Sequence, residues 1–298
     1  MRKYSWILLL AIAVSGCGPK YLERSGIPLI WGMRMDETAD EFEFSENLAY
    51  VAESDANEIL LELPLRADSF GLPVVGHIPS KESVRLLKDS KRTLSLVFAT
   101  TNYKELFPTE DFPAPQIWFR YLNAALDSAL APFMGCKVSR VILAADWGLM
   151  TDENEWRQIL DHIRTKMPDA LISFGARHEA LHSKSLSVLS DEIAIDYAPI
   201  AGEELKSPCR TENLRITALA KQSGKPIFIF RANVIGENPA LQIQNRLRFW
   251  QPEVEINGIC LNTLYAKIPP RDATTYYGMA DDPAVSDFIR MYKQRLPL

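Results

Sequence analysis

The chain has 298 residues, of which 47% are hydrophobic and 24% are charged, as in a globular protein with a sizeable core. This length suits one large α/β barrel or two ordinary domains. The formal net charge of −5 argues against a nucleic-acid-binding surface, so no nucleic-acid partner is expected.

The first residues have the pattern of a bacterial lipoprotein signal. Arg2 and Lys3 supply positive charge, residues 6–14 form a short apolar run, and Val14-Ser15-Gly16-Cys17 has the form of a lipobox. The apolar run is shorter than the roughly 20 residues that a membrane-spanning helix needs, and no later run is long enough. We therefore predict cleavage before Cys17 and acylation of its thiol, which would anchor the chain in a membrane.

These features divide the chain into a signal peptide over residues 1–16, a lipidated tether over 17–25 and one folded domain over 26–298. Gly18 is not the aspartate that retains some lipoproteins in the inner membrane, so we expect the outer membrane of the cell envelope, with the domain facing the periplasm or the cell surface. An ordinary cleaved signal with a chance cysteine is the alternative interpretation. The remaining cysteines form no close pair, so neither a disulfide scaffold nor a zinc–cysteine site is expected.

Eight short runs rich in branched and aromatic residues follow the tether, and most are separated by helical patterns. They cover residues 27–33, 58–65, 93–100, 138–144, 170–175, 192–197, 226–230 and 258–265. Eight strand–helix units in about 270 residues predict an α/β fold of the (β/α)8 TIM-barrel type. A doubly wound open sheet is the alternative, but no glycine-rich phosphate loop follows any of the strands.

Two amphipathic helices are clear from their apolar stripes, which we expect to face the core. The second begins with a capping box, in which Asp152 is followed three residues later by Glu155. The stripes are Ile117, Trp118, Tyr121, Leu122, Ala125 and Leu126 in the first helix, and Trp156, Ile159, Leu160 and Ile163 in the second.

Several of these segments carry a resemblance to a known family. They are Gln116-Ile-Trp-Phe-Arg-Tyr, Val141-Ile-Leu-Ala-Ala-Asp-Trp, Ala170-Leu-Ile-Ser-Phe-Gly-Ala, Ile193-Ala-Ile-Asp-Tyr and Gly224-Lys-Pro-Ile-Phe-Ile. In this order they resemble clan A glycoside hydrolases, especially the β-mannanase-like family 113. The resemblance is spread over most of residues 27–293, and it implies a TIM barrel that acts on a polysaccharide or oligosaccharide.

The resemblance does not extend to the two catalytic positions of the family. The family has an acid/base glutamate at the end of the fourth strand, where this chain has Asp146, and a nucleophilic glutamate at the end of the seventh, where it has Phe230 and Arg231. Retaining hydrolysis needs two carboxylates about 5–5.5 Å apart. An arginine stays protonated and cannot attack carbon.

The charge at position 231 also has the wrong sign for this reaction. At about 5 Å and an effective dielectric near 20, one unit charge is worth about 3 kcal/mol. Exchanging a carboxylate for a guanidinium therefore disfavours the positively charged transition state by about 6 kcal/mol, which is a rate factor on the order of ten thousand. If Arg231 pairs instead with Asp146, it lowers the pKa of that acid and spoils it as a proton donor.

Two hypotheses follow. In the first, the barrel has lost catalysis and binds a glycan or a protein partner. In the second, it is an active hydrolase in which a relocated carboxylate works opposite Asp146, with the spacing of about 6.5–9.5 Å that suits an inverting mechanism. Asp196, at the predicted end of strand six, is the best-placed spare acid, although it can equally be a structural acid paired with a nearby Arg or Lys. The candidates for the second carboxylate are Glu62, Asp68, Asp196 and Glu203.

Other residues at predicted strand ends are candidates for binding a sugar. Trp147, Tyr197 and Tyr265 can stack on sugar rings, or they can pack loops. Arg34 with Asp36 after strand one, and Arg66 with Asp68 after strand two, can bind hydroxyl groups or form local salt bridges. These groups are all assigned by their predicted position on the face where barrel enzymes hold their sites.

One motif suggests a metal. His178, Glu179 and His182 fit the His-Glu-x-x-His pattern, with Glu203 or Glu204 as a conceivable third ligand. The segment before the motif is strand-like and polar residues follow it at once, whereas zinc-protease helices are usually long and buried. A zinc-dependent hydrolase is therefore a remote alternative, and no metal or other cofactor is expected.

Overall fold

The structure is a computed structural model that describes residues 30–35, 41–53, 56–100, 115–144, 152–177, 184–197, 207–232 and 256–261. Strands and helices alternate along these ranges. The strands are β1 (Ile30–Met35), β2 (Glu58–Ala67), β3 (Pro73–Val75), β4 (Thr93–Thr100), β5 (Val138–Ala144), β6 (Leu171–Arg177), β7 (Ile193–Tyr197), β8 (Ile227–Ala232) and β9 (Ile256–Leu261). The helices are α1 (Glu41–Glu53), α2 (Lys81–Ser90), α3 (Pro115–Leu130), α4 (Glu153–Lys166), α5 (Lys184–Leu189) and α6 (Ser207–Ser223).

Eight of the strands close into a barrel. They pair in the order β1-β9-β8-β7-β6-β5-β4-β2, and β1 also pairs with β2, so the ring has no open edge. Every pair in this ring is parallel. The predicted (β/α)8 barrel is therefore confirmed, and the open sheet is excluded.

The short strand β3 is an addition to the barrel that the sequence did not predict. It runs antiparallel to the last residues of β2, where Arg66 is opposite Val74. The fourth, sixth and seventh strands of the barrel are consequently β5, β7 and β8. Arg34 and Arg66, which were expected to follow their strands, lie within β1 and β2 instead.

The core has two layers because side chains on a strand alternate between the two faces of the sheet. On β2, Leu61, Leu63 and Leu65 face outward into the apolar layer beneath the helices, whereas Leu60 faces the barrel interior. Among the described residues, the interior cluster comprises Leu60, Val97, Ala99, Ile142, Ala144, Ala194, Phe228, Phe230 and Cys260.

Both predicted helices are present. The predicted buried face is right for α4 and partly wrong for α3. Helix α4 buries its predicted stripe, and the Asp152 carboxylate caps it by accepting bonds from the Asn154 and Glu155 amides. On α3 the prediction is wrong for Ile117 and Tyr121, which are exposed because the buried face is centred on other residues. Those are Trp118, Phe119, Leu122, Leu126, Ala129 and Leu130.

Within the described ranges, none of the helices combines the length and the apolar composition that a bilayer crossing requires.

Candidate functional site

The seventh barrel strand contains a β-bulge near its carboxyl end. Ile229 pairs with Ile195 of β7, but the next pair joins Asp196 to Arg231, so Phe230 is an extra residue on β8. The pairing of β8 with β9 shifts at the same place. A bulge interrupts the alternation of side chains and re-aims the residues that follow it.

The bulge explains why Phe230 and Arg231, although consecutive, both contact groups inside the barrel. Phe230 belongs to the interior cluster with Phe228, as strand alternation requires. Regular alternation would then send Arg231 outward beneath the helices. Because of the extra residue, the guanidinium of Arg231 instead reaches two carboxylates at the carboxyl end of the barrel.

We call these three residues, Arg231, Glu62 and Asp196, the mouth cluster. Arg231 Nη1 donates to Asp196 Oδ2 at 2.6 Å, and Nη2 donates to Glu62 Oε2 at 2.5 Å. The side chain of Arg231 is 17% exposed, whereas those of Glu62 and Asp196 are 8% and 4% exposed. One guanidinium thus holds carboxylates from two strands on opposite sides of the barrel, in charge-assisted bonds of the strong kind.

Phe230 forms the floor beneath the mouth cluster. A Cβ atom on Gly175 of β6 would lie 2.8 Å from Phe230 Cε1 and 2.8 Å from Ile142 Cγ2, so only glycine leaves room for the phenyl ring. Phe230 is fully buried, and the Arg231 guanidinium lies 5.7 Å from the centroid of its ring. The barrel interior is therefore filled just below the mouth cluster, as in TIM barrels generally.

The mouth cluster contains two of the four candidate carboxylates. Asp196 lies beside an arginine, as the paired-acid interpretation expects, and Glu62 shares that arginine. Asp68 has a local role, since its Oδ1 accepts bonds from the amides of Phe70 and Leu72 at 2.8 and 2.9 Å and so shapes the turn after β2.

For some of the other candidates only the backbone position is described, and the rest lie outside the described residues. Tyr197 is the last residue of β7, and Arg34 lies in β1 beside Leu60 of β2. A contact between Arg231 and Asp146 remains a prediction, as do the roles of the remaining residues. Outside the described ranges lie Cys17, Asp146, Trp147, His178, Glu179, His182, Glu203, Glu204 and Tyr265.

A second charged cluster, which the sequence analysis missed, lies at the opposite end of the barrel. We call it the base cluster, and it comprises Arg140, Glu58, Glu192, Ser95 and Asn257. Arg140 Nε donates to Glu192 Oε1 at 2.7 Å, and its Nη1 donates to both oxygens of Glu58 at 3.0 and 3.1 Å. Ser95 donates to Glu58, and Asn257 Nδ2 donates to Glu192 Oε2 at 3.0 Å.

The base cluster is almost completely dry. The side chain of Arg140 is 3% exposed, and those of Glu58 and Glu192 are 0% exposed. Burial raises the pKa of Glu192, although Arg140 opposes the shift. Burial also raises the pKa of the Cys260 thiol well above its ordinary value, with the nearby Glu58 adding to the shift. Cys260 is a buried free thiol.

Charges within apolar strands were the signal that would have revealed the base cluster. Glu58 and Arg140 stand in otherwise apolar runs, and Glu192 directly precedes another. Buried charges of this kind are paired or bind metals, so such residues should be tested as partners of one another. β-Bulges at Ser139 of β5 and Asn257 of β9 shift the strand register beside the cluster. Such bulges cannot be predicted from the sequence pattern.

In the part of the chain that the structure describes, no group of three or more His, Cys, Asp or Glu side chains is arranged to hold a metal ion. The His-Glu-x-x-His motif lies outside that part, so the zinc alternative stays a prediction.

Comparison with solved structures defines the class of this barrel. A GH113 β-1,4-mannanase superposes with a TM-score of 0.69 at 13% identity, covering 90% of this chain and 99% of the other. The GH113 β-mannanase from Alicyclobacillus acidocaldarius in complex with ManMIm has a TM-score of 0.64 at 15% identity, covering 90% and 97%. A β-glucuronidase from an uncultured Clostridium species has a TM-score of 0.67 at 11% identity, covering 90% of this chain and 50% of the enzyme.

The protein therefore has a TIM-barrel fold of the glycoside-hydrolase type. More particularly, its fold is that of the GH113 β-mannanases, over nearly their whole length. No family model and no curated protein sequence matches the chain. At these identities the likeness establishes the fold, and function has to be argued from the site.

Proposed function

We propose that the protein is a lipid-anchored, glycoside-hydrolase-like barrel that binds a glycan and no longer hydrolyses it. The observation that carries the proposal is the mouth cluster, in which Arg231 donates to both Glu62 and Asp196. A protein partner in place of the glycan is a variant of the same proposal, because it too would bind at the mouth without reaction.

The mouth cluster is poorly suited to retaining hydrolysis. Each carboxylate accepts a charge-assisted bond from Arg231, so both are held in an ion pair. These bonds engage one oxygen of each carboxylate, Oε2 of Glu62 and Oδ2 of Asp196. The guanidinium also repels the positive charge that develops on the sugar in the transition state.

A glycan is the ligand that the fold supports best. The mouth lies at the carboxyl ends of the strands, where barrel proteins of this class place their ligands. The GH113 structural neighbours are β-mannanases, so β-1,4-mannan is the first ligand to test, with glucans and peptidoglycan beside it. Polar groups in the mouth cluster would then orient sugar hydroxyls rather than react with the ring.

Sugar release and sugar binding should be measured on the same preparation of the full chain in mild detergent. We expect binding of at least one glycan in the panel, with no reducing sugar released from any of them. Arg231→Met should weaken binding because it disorganises the mouth, whereas Arg85→Ala on the outer face of α2 is a matched control without effect. Release that disappears in Asp146→Asn would overturn the proposal and establish a hydrolase.

An active hydrolase is the second candidate, and the convergence of two carboxylates at the mouth favours it. In this case Asp146 is the acid, and Glu62 or Asp196 activates water once substrate has displaced Arg231. Glu62→Gln and Asp196→Asn distinguish the two carboxylates, because only the catalytic one should lower the turnover number by several orders of magnitude. Zinc catalysis through His178, Glu179 and His182 predicts instead that a chelator abolishes release.

The anchor at Cys17 and a location in the outer membrane belong to the same proposal. They are supported by the lipobox pattern and by Gly18. Labelling cells with a radioactive fatty acid should mark the wild-type chain but not Cys17→Ser, which should also leave the membrane fraction. A wild-type chain that takes up no label would contradict lipidation without affecting the glycan-binding proposal.

A further inference from the structure

A rigid hairpin follows the second barrel strand. Strand β2 is 10 residues long, and its last three residues pair with β3, while Leu65 also pairs with Thr100 of β4. The connecting turn is held by Asp68, whose Oδ1 accepts from Phe70 and Leu72 while its own amide donates to the Leu72 carbonyl at 2.8 Å. Gly71, with φ of 76°, supplies the left-handed residue that completes the turn.

One face of this hairpin continues the inner face of the barrel. Residues two apart on a strand share a face, and β2 pairs with β4 without a bulge from Glu58 to Leu65. Arg66 is therefore on the same side as Glu62 of the mouth cluster, about 13 Å further along the strand. Val74 is directly opposite Arg66 and shares this face. The opposite face of the hairpin is the buried one, since Leu65 and Pro73 are buried.

Phe70 projects from the tip of the hairpin. Its side chain is 79% exposed, although it is a large apolar group on a turn with fixed backbone hydrogen bonds. Arg66 is also exposed, and its stem lies against Gly76, where an added Cβ would be only 2.8 Å from Arg66 Nε. The hairpin thus presents a phenyl ring, a branched aliphatic group and a guanidinium that lies against glycine backbone.

We infer that Arg66, Phe70 and Val74, which we call the hairpin face, form a distal subsite for one sugar ring of an extended glycan. The inference rests on the proposed glycan binding at the mouth. A pyranose offers an apolar face of C–H groups and a rim of hydroxyls. Phe70 and Val74 contact the apolar face, and the Arg66 fork donates to hydroxyls on the rim.

Continuity with the mouth is the reason for assigning a sugar to this surface. A chain bound over the mouth cluster and extended along β2 reaches the hairpin face after a short oligosaccharide length. The turn is preorganised by its own hydrogen bonds, so little conformational entropy is lost when a ring stacks on Phe70. A short ligand cannot reach from the mouth to the tip, and this dependence on length distinguishes the hairpin face from the mouth itself.

The test is calorimetric titration of the full chain with mannohexaose and with mannobiose. Phe70→Ala should weaken mannohexaose binding about tenfold, the change expected when one face of a phenyl ring is no longer buried. Mannobiose binding should be unchanged. Phe42→Ala is the matched control, because Phe42 is 72% exposed on helix α1 and lies on no strand of the barrel. Phe70→Trp should keep or increase the affinity for mannohexaose.

The possible results test the hairpin face separately from the proposed glycan binding on which it rests. Equal mannohexaose affinities for wild type and Phe70→Ala would overturn the hairpin face while leaving glycan binding at the mouth intact. An equal loss for both sugars would also overturn it, because it would indicate a structural effect. A wild-type chain that binds neither sugar, nor any other glycan in the panel, would overturn the proposed function and the inference together.

Discussion

The two charged clusters inside the barrel have the same arrangement of charges but differ in their exposure to water. In each, one arginine bridges a carboxylate of β2 and a carboxylate of β7 or of the residue just before it, and β2 and β7 lie on opposite sides of the ring. The two acids on either side are four residues apart, so each side contributes one acid to either end. The base cluster has Glu58 and Glu192 on Arg140, and the mouth cluster has Glu62 and Asp196 on Arg231.

The clusters differ in their exposure to water. At the base, Ser95 and Asn257 add bonds to the carboxylates, and Arg140 lies 4.0 Å from the centroid of the Phe228 ring. At the mouth, Arg231 is partly exposed and is reached through a bulge. A dry and fully bonded cluster fixes structure, whereas a partly wet one at the strand carboxyl ends can exchange its partners for a ligand.

The largest expected effect is at the base. Arg140→Met should lower the free energy of unfolding by about 3–5 kcal/mol, because it leaves two carboxylates buried without their cation. Denaturation in urea measures the change, with Arg85→Ala on the exposed face of α2 as a control that should not change stability. If Arg140→Met does not fold, the milder Asn257→Ala removes one bond to Glu192 and should still destabilise the chain. A cost near zero for both would mean that the base cluster is not structural.

Between the clusters, Gly175→Ala should destabilise the barrel by about 1–3 kcal/mol, because the new methyl group overlaps Phe230 and Ile142. Phe230→Leu in the same chain should recover part of the loss, since the shorter side chain vacates the space. Urea denaturation of the single and double variants measures both steps. Additive losses in the double variant would show that Phe230 is not the group that Gly175 accommodates.

At the mouth, Arg231→Met should cost about 1–2 kcal/mol, less than the change at the base, since the side chain of Arg231 is 17% exposed whereas that of Arg140 is 3% exposed. The comparison requires both arginine variants in the same buffer. Equal costs for Arg140→Met and Arg231→Met would contradict the division of the clusters into a structural one and an exchangeable one.

The smallest effect is a change in pH dependence. Burial raises the pKa of Glu192 above 4.5 in the folded state, so the folded protein binds its proton more tightly than the unfolded chain does. Stability should therefore fall as pH rises from 4.5 through the raised pKa, and remain constant above it. Glu192→Gln should lack this slope. Parallel profiles of unfolding free energy against pH for the two proteins would contradict the assignment.

The strands were predictable because their signal is local. Each of the eight barrel strands combines branched residues with flanking helix patterns, and the structure has all of them with ends shifted by up to four residues. Strand β3 was missed because 3 residues are too few to show a period. On α3, the apolar residues Ile117 and Tyr121 widened the stripe beyond the face that packing buries.

The candidate site was predicted in its residues but not in its contacts. Arg231, Glu62 and Asp196 were all named from the sequence, whereas the only partner named for Arg231 was Asp146. Asp146 lies outside the described residues, so that pairing stays a prediction. The bulge at Phe230 changes which groups Arg231 reaches, and it depends on how β8 matches the register of two neighbours.

By itself, the sequence determined the barrel and the absence of a glutamate from the seventh barrel strand, Ile227–Ala232, because composition and periodicity act along short stretches of chain. Only the tertiary structure decided that one arginine would bind acids from two opposite strands at either end of the barrel. The reason is that strand closure joins residues such as Glu62 and Arg231, which are 169 positions apart, and their approach depends on register and bulges rather than on local preference.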